Sequence, residues 1–288
     1  MGRTAIMTDS NSGIRQAQAK ELGVCVLPMP ILLDGEQFFE EISISQEMFY
    51  ERLAEGCNVS TSQPSVGDVL DIWDELLKEY DEVVHIPMSS GLSAAYGTAE
   101  MLAQDYNGRV QVVNNQQISV TQRNSVMDAL EMAKQGWSAL HIKERLEETK
   151  FDSEIYIMVD TLKYLQKGGR LTPAAAAIGA ILQIKPVLQI QGEKLDAFAK
   201  AYGTKQAKKL IIEAIKRDFA TRFVEVDNSK DMRLFIAYSH NLEAAQEFKE
   251  EVRATFAGFE LDLQPLPLSV ASHIGPGALA LACSRRII

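Results

Sequence analysis

The feature that most constrains this chain is an alternation that fills its first half: a short apolar run, a cluster of hydroxyl and glycine residues, then an amphipathic stretch. Residues 4–7 read as a buried strand ending at Asp9-Ser10-Asn11-Ser12-Gly13. Residues 83–86 read as a second, ending near Ser89-Ser90-Gly91-Leu92-Ser93, and residues 110–113 as a third. Residues 24–28 and Ile31-Leu32-Leu33 are strand-like, and Asp34-Gly35 is a hairpin signal. Residues 65–80 predict a helix. Ser65 and Asp68 have capping-box spacing, and Val66, Val69, Leu70, Trp73, Leu77 and Tyr80 fall on one face. The chain reads as helical from Ser93 onward, and residues 118–149 as two helices broken near Gly136. Strands alternating with helices need crossover connections, which give a parallel α/β sheet.

The second half opens with a strand over residues 155–159, a Gly168-Gly169 break and an Ala-rich helical segment from Pro173. Residues 186–191 and 194–201 flank Gly192-Glu193 as a hairpin. Residues 204–219 predict a helix with Ala207, Leu210, Ile211, Ala214 and Ile215 inward. A strand over 234–238, a helix over 242–256 and a last strand over 259–268 follow, with a short apolar helix expected after Gly277. A hairpin among the strands makes this half mixed. The expected architecture is a parallel α/β domain over residues 1–152 and a mixed α/β domain over 153–288. A chain of 288 residues favours two domains over one.

Charge narrows the partners. Against 39 acidic residues stand 29 basic ones, a net charge of −10. Such a surface repels phosphate backbones and anionic headgroups, so nucleic acid and stable membrane anchoring are not expected. A single carboxylate or phosphate held by local donors is compatible with it. Cys25, Cys57 and Cys283 are far apart and form no metal-binding spacing, and they read as buried, reduced thiols. Met1-Gly2-Arg3-Thr4 leads straight into the first strand, and no apolar run is long enough to span a bilayer. A cytoplasmic protein is therefore expected.

The chemistry lies at loop-to-helix junctions. Thr8-Asp9-Ser10 closes the first strand, Thr61-Ser62-Gln63-Pro64-Ser65 precedes the capped helix, and Ser89-Ser90-Gly91-Leu92-Ser93 follows a buried strand and opens another helix. In a parallel sheet these ends gather on one edge, where free N–H groups and helix dipoles receive an anion. Ser65 reads as a helix cap, Ser89 and Ser93 as caps or as ligand donors, and Asp9 as a turn residue or part of the site. No GxSxG, Walker loop or GxGxxG is present, so no catalytic residue is assigned. His85 lies in an apolar strand and reads as structural. His273, in Ser272-His273-Ile274-Gly275-Pro276-Gly277, is a helix cap or a site residue. Lys167-Gly168-Gly169-Arg170 is a helix C-cap or a basic contact.

Taken in order, these segments resemble the DegV family, and within it the fatty-acid-binding subunits (FakB) of bacterial fatty acid kinase. The resemblance adds Tyr96, Asp160-Thr161-Leu162-Lys163-Tyr164-Leu165 and Ile184-Lys185-Pro186, and it spans the chain. It implies a two-domain α/β fold holding one long-chain fatty acid. The acyl chain would lie in a tunnel of the first domain, and the second domain would close the head-group site. Thr61 and Ser93 match the carboxylate-binding hydroxyls, with Ser62 and Gly91 beside them. His273 matches the head-group histidine, and Arg170 a position that docks the kinase. The resemblance implies no cofactor of the chain's own; ATP and magnesium belong to the kinase subunit, which forms the acyl phosphate. In Lys200-Ala201-Tyr202-Gly203-Thr204, Tyr202 stands where relatives commonly carry an arginine. It becomes a head-group neighbour without charge, and capture leans on hydroxyls, backbone N–H groups and a protonated His273. The alternatives are a lipid-binding regulator without a kinase partner, and a stand-alone acyl- or phosphoryl-transfer enzyme using His273.

Overall fold

The computed structural model describes residues 2–178, 184–191, 194–225 and 227–288. They form two compact units. The first comprises Met1–Lys150 with Pro267–Ser269 and Ile287–Ile288, the second Phe151–Leu266 with Val270–Arg286.

In the first unit the order is β1 (Thr4–Asp9), α1 (Gln16–Leu22), β2 (Cys25–Leu27), β3 (Ile31–Leu33), β4 (Glu36–Phe38), α2 (Gln46–Ala54), β5 (Val59–Thr61), α3 (Val66–Glu79), β6 (Glu82–Ile86), α4 (Ala95–Ala103), β7 (Val110–Val112), α5 (Ser119–Lys134) and α6 (Ala139–Glu148). Strands β2-β1-β6-β7 form a parallel sheet, and β4-β3-β5 a small antiparallel one. Asp34 and Gly35, both with positive φ, turn β3 into β4, as a tight hairpin requires.

Side-chain alternation gives the parallel sheet two apolar faces. Ile6, Val26, Val84 and Ile86 pack with Val126, Ala129, Met132 and Ile142 of α5 and α6. Met7, Leu27, Val83, Val110 and Val112 pack with Val69 and Trp73 of α3 and Ala99 of α4. Trp73 is fully buried and anchors the second face. The Ser65 hydroxyl accepts the Asp68 N–H at 3.0 Å, which fixes the start of α3 at the expected residue. Val66 departs from the expected inward face: it lies in the first turn and is exposed.

The second unit runs β8 (Ser153–Met158), α7 (Lys163–Gly168), α8 (Pro173–Ile178), β9 (Lys185–Ile190), β10 (Leu195–Ala201), α9 (Thr204–Thr221), α10 (Asn228–Asp231), β11 (Met232–Tyr238), α11 (Leu242–Thr255), β12 (Glu260–Pro265), α12 (Leu268–Ile274) and β13 (Leu279–Arg285). Its six strands are ordered β10-β9-β8-β13-β11-β12 and mix parallel and antiparallel pairs. The expected Gly192-Glu193 turn lies outside the described residues.

The C-terminal expectation needs correction. The apolar run after Gly277 is strand β13, not a helix, and the strand expected over 259–268 ends at Pro265, with Leu268 opening helix α12. Ala278-Leu279-Ala280-Leu281-Ala282 has strong helix propensity, but β13 pairs along its length with both β8 and β11. Pairing on two sides outweighs a local preference of a few tenths of a kcal/mol per residue. Of the thiols expected to be buried, Cys283 is, whereas Cys25 and Cys57 are half-buried; none of the three is in a disulfide.

Candidate functional site

The first unit ties two of the three predicted junctions together through Asp9; the Thr61-Ser62 segment is held separately, by the backbone of Pro30 and Ile31. The buried Asp9 carboxylate accepts the Asn11 N–H at 3.0 Å, the Asn11 amide at 2.9 Å, the Gln122 amide at 3.1 Å and, across to the loop after β6, the Met88 N–H at 2.8 Å. Burial raises its pKa, opposed by these hydrogen bonds. Gln122 also donates to Thr8 Oγ1 and the Ile86 carbonyl. Asp9 thus ties the end of β1 to the Pro87-Met88-Ser89 segment. Sequence reasoning placed Asp9 at a turn but missed Gln122, a polar residue on a helix far along the chain.

Beyond this tie the Ser89–Ser93 loop makes one tight turn, in which the Leu92 and Ser93 N–H groups donate to the Ser89 carbonyl. Ser93 Oγ accepts the Ala95 N–H at 3.2 Å. A hydroxyl that accepts through a lone pair keeps its O–H to donate, so capping and ligand donation are compatible in Ser93. Gly91 and Ser93 are half-buried. Thr61, also half-buried, ends β5, a strand absent from the sequence reading, and pairs with Ile31. The N–H of exposed Ser62 donates to the Pro30 carbonyl.

A cavity begins beside these loops. Gln63 and Pro64, directly after Thr61-Ser62, and Ala95, just beyond Ser93, line it together with Leu27, Val69, Pro87, Ala99, Thr98, Asp9 and His85. Most of its wall is apolar. It offers about 10 Å³ to the centre of a water molecule, on the scale of a single water.

In the second unit His273 lies in the last turn of α12, not ahead of a helix that it could cap. Burial, and then the charge of Arg170, lower its pKa to about 4. Without a bound anion the ring is therefore neutral near pH 7, whereas the expectation was of a protonated His273 at a bound head group. Gly169 is the left-handed C-cap of α7, as the cap reading of Lys167-Gly168-Gly169-Arg170 expects. Arg170 is half-buried and donates to the Gly168 carbonyl. At Gly277, with φ of 82°, a Cβ would also lie 2.5 Å from Asp160 Oδ2, so only glycine fits there. Asp160 pairs with Lys185 at 2.6 Å. Tyr202 is 79% exposed, and its backbone N–H donates to Gln206.

Among the described residues no group of three His, Cys, Asp or Glu side chains could hold a metal ion, and no helix is long and apolar enough to cross a membrane.

A family model described as "Uncharacterised protein, DegV family" matches residues 3–286. The chain belongs to the DegV family. A solved DegV-family protein from Thermus thermophilus, described as fatty acid binding, is 31% identical and superposes with a TM-score of 0.89, covering 98% of this chain and 99% of its own. DegV of Bacillus subtilis, described as a fatty acid binding protein, is 28% identical with a TM-score of 0.86 over the same shares. A DegV domain-containing protein of Listeria innocua is 28% identical over 285 residues, 98% of each chain. These likenesses agree with the two-unit α/β architecture of this DegV protein.

Proposed function

We propose that this DegV protein binds one long-chain fatty acid and presents its carboxylate to a separate ATP-dependent fatty acid kinase subunit. The observation that carries the binding reading is the position of the cavity. A mostly apolar void lies next to the Thr61-Ser62 and Gly91–Ser93 segments: Gln63, Pro64 and Ala95, their neighbours in the chain, line it. Thr61, Ser62, Gly91 and Ser93 hold the carboxylate, and the acyl chain follows the cavity inward between α3 and α4. Two solved relatives described as fatty acid binding support the same ligand class.

The energetics suit a carrier. A sixteen-carbon chain contributes about 0.8 kcal/mol per buried CH₂, on the order of 10 kcal/mol gross. That exceeds the desolvation of a carboxylate met by several donors. The cavity has room for a water and not an acyl chain, so on this reading its walls open as the chain enters.

By family resemblance, His273 and Tyr202 take head-group positions and Arg170 a kinase-docking position. The chain is then a non-catalytic substrate-binding subunit, with no cofactor of its own, acting in the cytoplasm. Organic extraction of the purified protein followed by mass spectrometry tests the binding step. One fatty acid per chain is expected, and a protein that carries none and ignores added fatty acid refutes it.

A further inference from the structure

His85 is the one histidine in the parallel sheet. It sits on β6 between Met7 of β1 and Val112 of β7, and it is 3% exposed. Its ring meets the edge of Trp73, with centroids 5.7 Å apart and planes at 75°. Neither ring nitrogen has a hydrogen-bond partner among the described residues, and the buried indole nitrogen of Trp73 has none either. Burial lowers the His85 pKa to about 3, so the ring is neutral and offers one N–H and one lone pair. A leucine in its place would cost nothing in hydrogen bonds, so an imidazole with no hydrogen-bond partner among the described residues is an unusual wall for a purely hydrocarbon ligand.

His85 also lines the cavity described above, with Leu27, Val69, Ala95 and Ala99. The other buried polar group there, Asp9, already accepts from Asn11, Gln122 and Met88. His85 is thus the group in this wall whose hydrogen-bonding capacity is unused.

We propose that His85 sets the acyl specificity of the cavity, favouring a chain that carries a hydroxyl at the depth of its ring over the saturated chain of the same length. The proposal rests on the fatty-acid reading above and goes beyond it to the substrate class. The two ring nitrogens point to opposite sides of the ring, so a hydroxyl serves one of them, either donating to the bare nitrogen or accepting from the N–H. A methylene serves neither. A double bond offers the N–H only a weak π contact and leaves the lone pair without a donor.

The test uses the full-length protein stripped of lipid. Affinities are measured for stearate, oleate and a set of hydroxystearates in which the hydroxyl is walked along the chain. At one hydroxyl position, binding about tenfold tighter than stearate is expected, the lower end of what satisfying a buried polar group provides. His85→Leu should erase that preference while still binding stearate. His85→Gln, which keeps a donor and an acceptor, should retain part of it. The proposal fails if stearate or oleate binds as tightly as every hydroxystearate, or if the preference survives unchanged in His85→Leu. If no fatty acid of any kind binds, the fatty-acid reading itself has failed, a different result from binding without preference. The wild-type series decides the matter even if a variant does not fold.

Discussion

Gly168 lies against the imidazole of His273 so closely that a Cβ there would overlap Nδ1 and stand 3.1 Å from Cε1. Gly168 ends α7 with φ outside the left-handed region, so alanine fits its backbone. In a helix that change alone would stabilise by roughly 0.5–1 kcal/mol. Any loss from Gly168→Ala therefore measures the contact. We expect a net destabilisation of about 1–3 kcal/mol, typical of overpacking, with His273 pushed from its place. Thermal unfolding reads the first effect. NMR titration of His273 reads the second, as a pKa climbing from about 4 toward 6.5. The double variant Gly168→Ala/His273→Ala should recover most of the stability, because the clash partner is gone.

His273 also leaves a signature in the pH dependence of folding. Its folded pKa of about 4 lies below the ordinary 6.5 because burial, and then Arg170, disfavour the charged ring. Between these values the unfolded chain takes up a proton that the folded protein refuses. This contribution to stability therefore falls as pH drops from 6.5 to 4 and levels off below. Urea unfolding of wild type and His273→Gln across this range should show the wild type losing more as acid is added. A bound carboxylate beside the ring would favour its charged form. Saturating the protein with fatty acid should then move the His273 titration upward, and an unmoved titration would argue against a head-group role.

Asp9 positions the loop that carries Gly91 and Ser93. Asp9→Ala strips an acceptor from the Met88 N–H, the Asn11 N–H and amide, and the Gln122 amide, all around a buried side chain. Each buried group left unsatisfied costs about 1–3 kcal/mol, so a loss of about 3 kcal/mol or more is expected. Asp9→Asn keeps one acceptor oxygen and should lose less. Equal losses in the two variants would show that the hydrogen bonds are not what holds the loop.

How far the sequence exposes this molecule depends on the range of each interaction. The Ser65 cap and the Asp34-Gly35 turn were legible because both act within a few residues. The hydroxyl clusters after β1 and β6 were legible as strand ends because these two strands run parallel in one sheet, which sends their ends to one edge. Strand β13 was not: its alanines speak locally for helix, and only β8 and β11, far away in the chain, make it a strand. His85 read as structural because its neighbours in sequence are apolar; its lining of a cavity depends on α3 and α4. The fit of Gly168 against His273 joins residues more than a hundred positions apart and leaves no local trace beyond a paired glycine.

The carboxylate assignment can be tested with two nearly isosteric changes. Thr61→Val removes one hydroxyl at the end of β5 and leaves the pairing with Ile31 intact, because that pairing uses backbone groups. Ser93→Ala removes a hydroxyl and its acceptance of the Ala95 N–H, at about 1 kcal/mol of stability. A hydrogen bond to a charged carboxylate is worth about 1.5–3 kcal/mol, so each variant should weaken fatty acid binding by roughly tenfold or more. Affinities for the matching long-chain alcohol, which lacks the charge, should change much less. Equal losses for acid and alcohol would place the carboxylate elsewhere.

The proposed kinase-docking role of Arg170, whose guanidinium hydrogen-bonds the Gly168 carbonyl of its own turn, can be separated from a bracing role. Two roles predict different outcomes for Arg170→Ala. If the residue only braces the turn, stability falls, His273 titrates higher because a nearby positive charge is gone, and acyl phosphate formation by added kinase subunit, ATP and magnesium follows whatever fatty acid remains bound. If it docks the kinase, the variant still carries one fatty acid per chain while acyl phosphate formation falls at least tenfold at limiting kinase. Arg170→Lys separates the two further. A lysine keeps the charge seen by His273 but loses the planar fork that recognises carboxylates. Under the docking role we expect it to restore the His273 titration and leave the kinase rate low. Full kinase rates in both variants, with binding intact, would instead favour a lipid-binding regulator that needs no kinase.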